Sequence, residues 1–223
     1  MDPRRKQWND GHQELHDALA HPHEHPNATE IFSSQHALLH SSMVSDAKEP
    51  TFDDEIWQDL PDDAARVIPT GMEHSIVWCI WHLARIEDVT MNVLLAGSAQ
   101  VFNLEPWPAR MQVRVCETGN AMDPQEIVEL SARVDVAALR AYRSAVGRRT
   151  QEIVRQLQPG EYKKKIEPAR LTQAMDEGVV VASTRWLLDY WGGLTIAGLL
   201  LMPPTRHILV HLNEASRIKQ KIK

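Results

Sequence analysis

The run SIVWCIWHLARIEDVTMNVLLAG, residues 75–97, constrains the fold of this chain more than any other stretch. A T-x-x-E capping box at Thr70 and Glu73 precedes it and Gly97 ends it, so the spacing predicts a helix of about seven turns. Its apolar residues cover more than one narrow stripe. That is the pattern of a helix packed between neighbours rather than laid on a surface, and His82 sits in its middle.

The other segments supply those neighbours. Ala28 to about Val44 reads as a helix capped by Asn27 or Thr29, with His36, His40 and Met43 on one face. Asp123 as cap, Pro124 at N1 and Glu126 at N3 start another helix, which runs to Leu157 with a break near Val134–Val136 and ends at Gln158-Pro159-Gly160. Val179 to Met202 reads as helical, Pro203-Pro204 punctuates it, and a last helix spans Thr205 to about Lys219. Residues 98–122 hold two prolines and no sustained period, the mark of a long connection bordering a pocket.

No internal repeat and no useful strand alternation occurs, so the expected fold is an all-α four-helix bundle with long inter-helix connections. Residues 29–223 form the bundle domain. Residues 1–28 form an N-terminal arm with a short helix around Trp8–Leu19, followed by HPHEHPN, where prolines should keep His21, His23 and His25 extended and solvated.

Composition removes several function classes. A net charge of −6, with Lys and Arg scattered among carboxylates, gives no footprint for nucleic acid, and the KKK run at 163–165 reads as a solvated linker. Cys79 and Cys116 are the only cysteines and form no CxxC, so neither a disulfide framework nor a zinc finger is expected; a reduced, cytoplasmic setting fits. The basic N-terminus lacks a following apolar stretch. Trp191–Pro204 falls short of the roughly 20 residues needed to span a bilayer, so no membrane segment is expected. There is no Gly-rich phosphate loop, G-x-S-x-G or H-E-x-x-H.

The chemistry lies in RHILVHLNE. His207 and His211 at i and i+4 share a helix face, and Glu214 extends the line. Two imidazoles leave a divalent ion mostly hydrated, so a third ligand must come from elsewhere, and His82 is the candidate. Three neutral imidazoles would leave a coordination position open, as in catalytic sites. The competing reading is that His207 and His211 only hydrogen-bond across helix contacts or at a dimer interface. His36 and His40 repeat the spacing and read as helix-interface polar residues, outer hydrogen-bond partners or a general base. Cys79 shares the His82 face, either packing or ligating. Glu87 and Asp88 point away from that stripe and read as partners for Arg85 or for RSAVGRRT.

SIVWCIWHLARIEDVTMNVLLAG and MPPTRHILVHLNEASRIK together resemble the DinB-like (YfiT-like) superfamily, over about residues 29–223. The resemblance implies a bundle, commonly dimeric, with a metal-binding histidine on its second helix and an HxxxH pair on its fourth; by position these are His82, His207 and His211. After the second histidine the family often continues with glycine and glutamine, where this chain has Leu212-Asn213-Glu214. Characterised members are transferases and isomerases using mycothiol, bacillithiol or glutathione. The resemblance therefore implies a homodimeric metal-dependent thiol transferase or hydrolase with zinc or nickel and a small-molecule substrate, the alternative being a non-catalytic metal- or small-ligand-binding stress-response protein.

Overall fold

The computed structural model describes residues 2–45 and 47–222. Among them the fold is all helical, and the one strand-type pairing is an isolated bridge between Lys165 and Thr195. The main helices are α1 (Pro3–Leu19), α2 (His25–Ala37), α3 (Ile76–Asp88), α4 (Pro124–Arg133), α5 (Val136–Gln156) and α6 (Ile208–Ile222). Every residue of α3 is buried. It packs against both α5 and α6, while α2 touches α5 and packs against α1.

Ser75 caps α3, its Oγ accepting from the Trp78 N–H at 3.0 Å. The box expected at Thr70 and Glu73 does not form, because Gly71 takes φ +76° and the Met72 N–H donates back to Pro69 O, turning the chain before the helix begins. Past Asp88 the helix widens into π-helical turns over Val89–Ala96 and stops at Gly97, whose φ is +62°. The Asp123–Glu126 capping box forms, and the expected break falls at Val134, with Asp135 capping α5.

Four other segments differ from expectation. HPHEHPN is not extended: Pro22 opens a 3-10 turn and Pro26 lies in the first turn of α2, where a missing N–H costs nothing. His25 is therefore buried, its Nε2 2.8 Å from Leu157 O, whereas His21 and His23 stay exposed. α2 ends at Ala37, so His40 sits on the turn beyond it and Met43 points to solvent. Residues 98–122 contain two short helices, Val101–Leu104 and Trp107–Met111. Towards the C-terminus the helical region divides into Trp186–Gly193 and Ile196–Leu201.

Pro203-Pro204 does not end the helix. Proline at 204 cannot donate to the Leu200 carbonyl, and Thr205 Oγ1 takes over that acceptor at 2.8 Å. His12 from α1 reaches Leu201 O at 3.0 Å. With these carbonyls satisfied, the chain continues through a wider π-helical turn, Met202–His207, and enters α6 at Ile208. The prolines thus set the register at which His207 faces the core.

Residues before 29 contribute directly to packing. Trp8 is fully buried and donates its Nε1–H to Gln35 O at 3.0 Å, and Leu15 joins Phe32 in the core. No helix among the described residues is long and apolar enough to cross a membrane.

Candidate metal centre

The middle of α3, the π-helical turn that contains the prolines and the first turn of α6 bring His82, His207 and His211 into a near-equilateral triangle. Their ring centroids are 5.0, 4.7 and 4.6 Å apart. His82 Nε2 lies 3.1 Å from His207 Nε2. Nitrogens held about 2.0–2.1 Å from a tetrahedral zinc would be separated by about 3.3 Å, so the spacing suits an ion without rearrangement of the helices.

The outer nitrogens decide which atoms face inward. His82 Nδ1 is 2.6 Å from the carbonyl oxygen of Thr118. A carbonyl only accepts, so Nδ1 holds the proton and Nε2 presents a lone pair to His207. Gly119, at φ +90°, lets this backbone approach; a Cβ there would meet Trp78 Cζ2 at 3.4 Å and His82 Nδ1 at 3.5 Å. His211 Nδ1 donates to Glu214 Oε2 at 3.0 Å, which likewise leaves its Nε2 as the lone-pair atom. His207 Nδ1 is buried with no hydrogen-bond partner among the described residues.

Burial, reinforced by the neighbouring imidazoles, lowers His82 to about 3 and His207 well below its ordinary value. Both rings are neutral at physiological pH, the state in which imidazole binds a cation. These three histidines could hold a metal ion.

Glu214 lies outside the triangle and organises it. Its Oε1 accepts from His74 Nδ1 at 2.7 Å while Oε2 accepts from His211. Burial pushes its carboxyl up, yet the hydrogen bonds from His211 and His74 hold it far below the usual carboxylate range. Cys79 lies beside Glu214; burial and that carboxylate raise its thiol well above its ordinary value, so it stays protonated beside the histidines.

His74 is a site residue that sequence reasoning missed. Its ring stacks on Trp78 at 3.7 Å, and Trp78 stacks on His82 at 4.8 Å. The signal was present as His74, Trp78 and His82 at four-residue spacing.

His36 and His40 do not reach the triangle. They meet Glu87, expected instead to pair with Arg85 or the RSAVGRRT segment, because the last turn of α2 and the turn after it pack on the side of α3 where Glu87 projects. Asp88 does pair with Arg85, at 3.3 Å.

Beside His207 opens a pocket of about 320 Å³, lined mainly by Ile86, Trp186, Tyr190, Trp191, Met202 and Pro203. Its lining is chiefly apolar, and Trp186 and Tyr190 stand exposed in it. Asn120, two residues from the carbonyl that pins His82, also lines it.

No curated protein matches the chain. The stretch that the sequence profile of a known family recognises includes α3 with His82, α4 and α5, and ends before His207 and His211. Over residues 54–184, more than half of its length, this chain matches the DinB superfamily, and it belongs to that family.

Proposed function

We propose that this chain is a metal-dependent enzyme in which His82, His207 and His211 hold one divalent ion, zinc or nickel. The observation that carries the reading is the inward-facing pair of lone pairs: the outer nitrogens of His82 and His211 are each pinned by an acceptor, Thr118 O and Glu214 Oε2. Neutral imidazole donors suit both metals. When bound, such an ion lowers the pKa of a coordinated thiol or water towards neutrality.

The chain's own residues do the rest. The apolar pocket beside His207 would seat a substrate with an aromatic or aliphatic body against Trp186, Tyr190 and Trp191, while its rim exposes the reacting end to the histidine triangle. A low-molecular-weight thiol is the proposed co-substrate and water the alternative nucleophile, so the reaction is a thiol transfer or a hydrolysis. A homodimer working in the cytoplasm completes the proposal.

One observation favours a second reading, a binding protein without turnover. Among the described residues, no titratable side chain apart from His207 and Tyr190 lines that pocket, so an acid or base for a proton-transfer step is scarce there.

Elemental analysis of purified wild type and His82→Ala tests the metal assignment. The variant is expected to hold one equivalent of divalent ion per chain less than wild type, and equal content in the two would sink the assignment. Screening the metal-loaded protein with thiols and electrophilic acceptors then separates the two readings: turnover supports the enzyme, and inactivity across the panel supports the binder.

A further inference from the structure

The end of α2 and the turn after it carry a second constellation. His36, His40 and Glu87 are each fully buried. His36 Nε2 lies 2.7 Å from Glu87 Oε1, His40 Nε2 lies 3.0 Å from Glu87 Oε2, and the two imidazole centroids are 4.2 Å apart. The first contact is a hydrogen bond. The second is close but misaligned, and neither His40 Nε2 nor Glu87 Oε2 has a hydrogen-bond partner among the described residues; Nδ1 of both histidines also lacks one there.

Unmet demand on this scale is unusual. A buried polar atom left without a partner carries its full desolvation penalty, and native interiors hold few of them. Here several fall on three touching side chains with no solvent contact. Without an ion, a hydrogen bond from His36 Nε2 satisfies one carboxylate oxygen and leaves the other facing a second imidazole nitrogen across 3.0 Å; with an ion, that proton would sit on His36 Nδ1 and free Nε2 as a ligand. An atom that accepts lone pairs from both sides would resolve that arrangement.

The backbone makes room for this cluster. Gly147 on α5 faces His40, and a Cβ at that position would lie 2.5 Å from His40 Nδ1. Any side chain there would displace the ring. A cleft of about 500 Å³, lined by Ser33, Ser34, Ala37, Val44, Ser45 and Gln151 among others, lies against the same end of α2 and gives solvent a route towards the turn that carries His40.

We propose that His36, His40 and Glu87 form a second metal site, for a divalent first-row transition ion, separate from the His82–His207–His211 triangle. Two imidazoles and one carboxylate are a donor set that such ions accept, with open positions left for water. Burial, above all, lowers His40 to about 3 despite the nearby Glu87 charge, which keeps its ring in the neutral, lone-pair form. An ion here would neutralise the buried Glu87 carboxylate and draw α2 onto α3, so this site stabilises the fold independently of any reaction at the triangle.

The test uses Co²⁺ as the probe and a background that lacks the first site. His82→Ala/His211→Ala protein, stripped with chelator, is titrated with Co²⁺ and followed by visible absorption, by metal content after desalting and by thermal melting. One equivalent per chain, with a rise in Tm on loading, is expected. Adding Glu87→Gln, or separately His40→Gln, to that background should return binding to background. Far-ultraviolet circular dichroism identifies variants that keep their helices, and either folded variant suffices. A folded double-alanine background that binds no Co²⁺ overturns the proposal, as does binding that survives either added substitution in a folded variant.

Discussion

Asp88→Ala is expected to destabilise the protein by about 3–5 kcal/mol and to lower Tm by roughly 6–20 °C. Asp88 is fully buried at the end of α3. Its Oδ1 accepts from Asn92 Nδ2 and from the Val101 N–H, both at 2.8 Å, and its Oδ2 from the Phe102 N–H at 2.9 Å and Tyr142 Oη at 2.7 Å. Arg85, equally buried, donates to Tyr142 Oη at 2.9 Å and to Gln100 Oε1 and Cys116 O at 2.7 Å. One carboxylate therefore ties α3 to the 100–102 turn and to α5, while its arginine partner reaches the 116–118 segment. That segment includes the carbonyl that pins His82.

Burial raises the Asp88 carboxyl above its ordinary value even though Arg85 opposes the shift, so the ion pair is not a large net gain. The expected loss comes from what alanine would leave behind: a buried guanidinium without its counter-charge, and several donors without an acceptor. This distinction can be measured. In urea unfolding, Arg85→Met/Asp88→Ala should recover part of the stability lost by Asp88→Ala alone, because it removes the stranded charge. A single-variant loss below about 1 kcal/mol would show that water or neighbouring groups replace the carboxylate, contrary to the buried network.

What could be read from the sequence depended on whether a feature was local. The enclosed character of α3 follows from its apolar coverage, Gly97 terminates its π-helical continuation in the left-handed conformation, and the Asp123–Glu126 box needs only the spacing of its letters. The histidine pair is equally local, since i and i+4 lie together on any helix. Thr70–Glu73 has the same spacing and the same closing glutamate as the Asp123 box and fails because Gly71 turns the chain first. The continuation through Pro203-Pro204 was not legible, because the carbonyls stranded there are satisfied by Thr205 and by His12, the latter from a helix nearly two hundred residues earlier in the chain. For Glu87, helical offset correctly turns it away from the His82 face. Which residues it meets instead is decided by α2, a tertiary fact without a sequence period.

The second large effect is expected at Glu214. Replacing it with glutamine should weaken divalent-metal binding at the triangle by about 10–100-fold. The carboxylate accepts from two imidazoles at once, with Oε1 facing His74 Nδ1 and Oε2 facing His211 Nδ1. An amide has one oxygen and one NH₂ group, so it can accept from only one ring and must present a donor to the other. If the donor faces His211, that ring shifts its proton to Nε2 and loses the inward lone pair. If the donor faces His74, His211 keeps its tautomer but loses a charge-assisted partner that makes its other nitrogen more basic. Metal competition with a chromophoric chelator measures the affinity, and the imidazole ¹⁵N shifts of His211 report its tautomer. His74→Phe keeps an aromatic ring to stack on Trp78 and leaves Glu214 to His211, so it should stay within a few-fold of wild type. Wild-type affinity in Glu214→Gln would mean that packing alone holds His211 in place; equal weakening in both variants would move the controlling contact to the His74–Glu214 hydrogen bond.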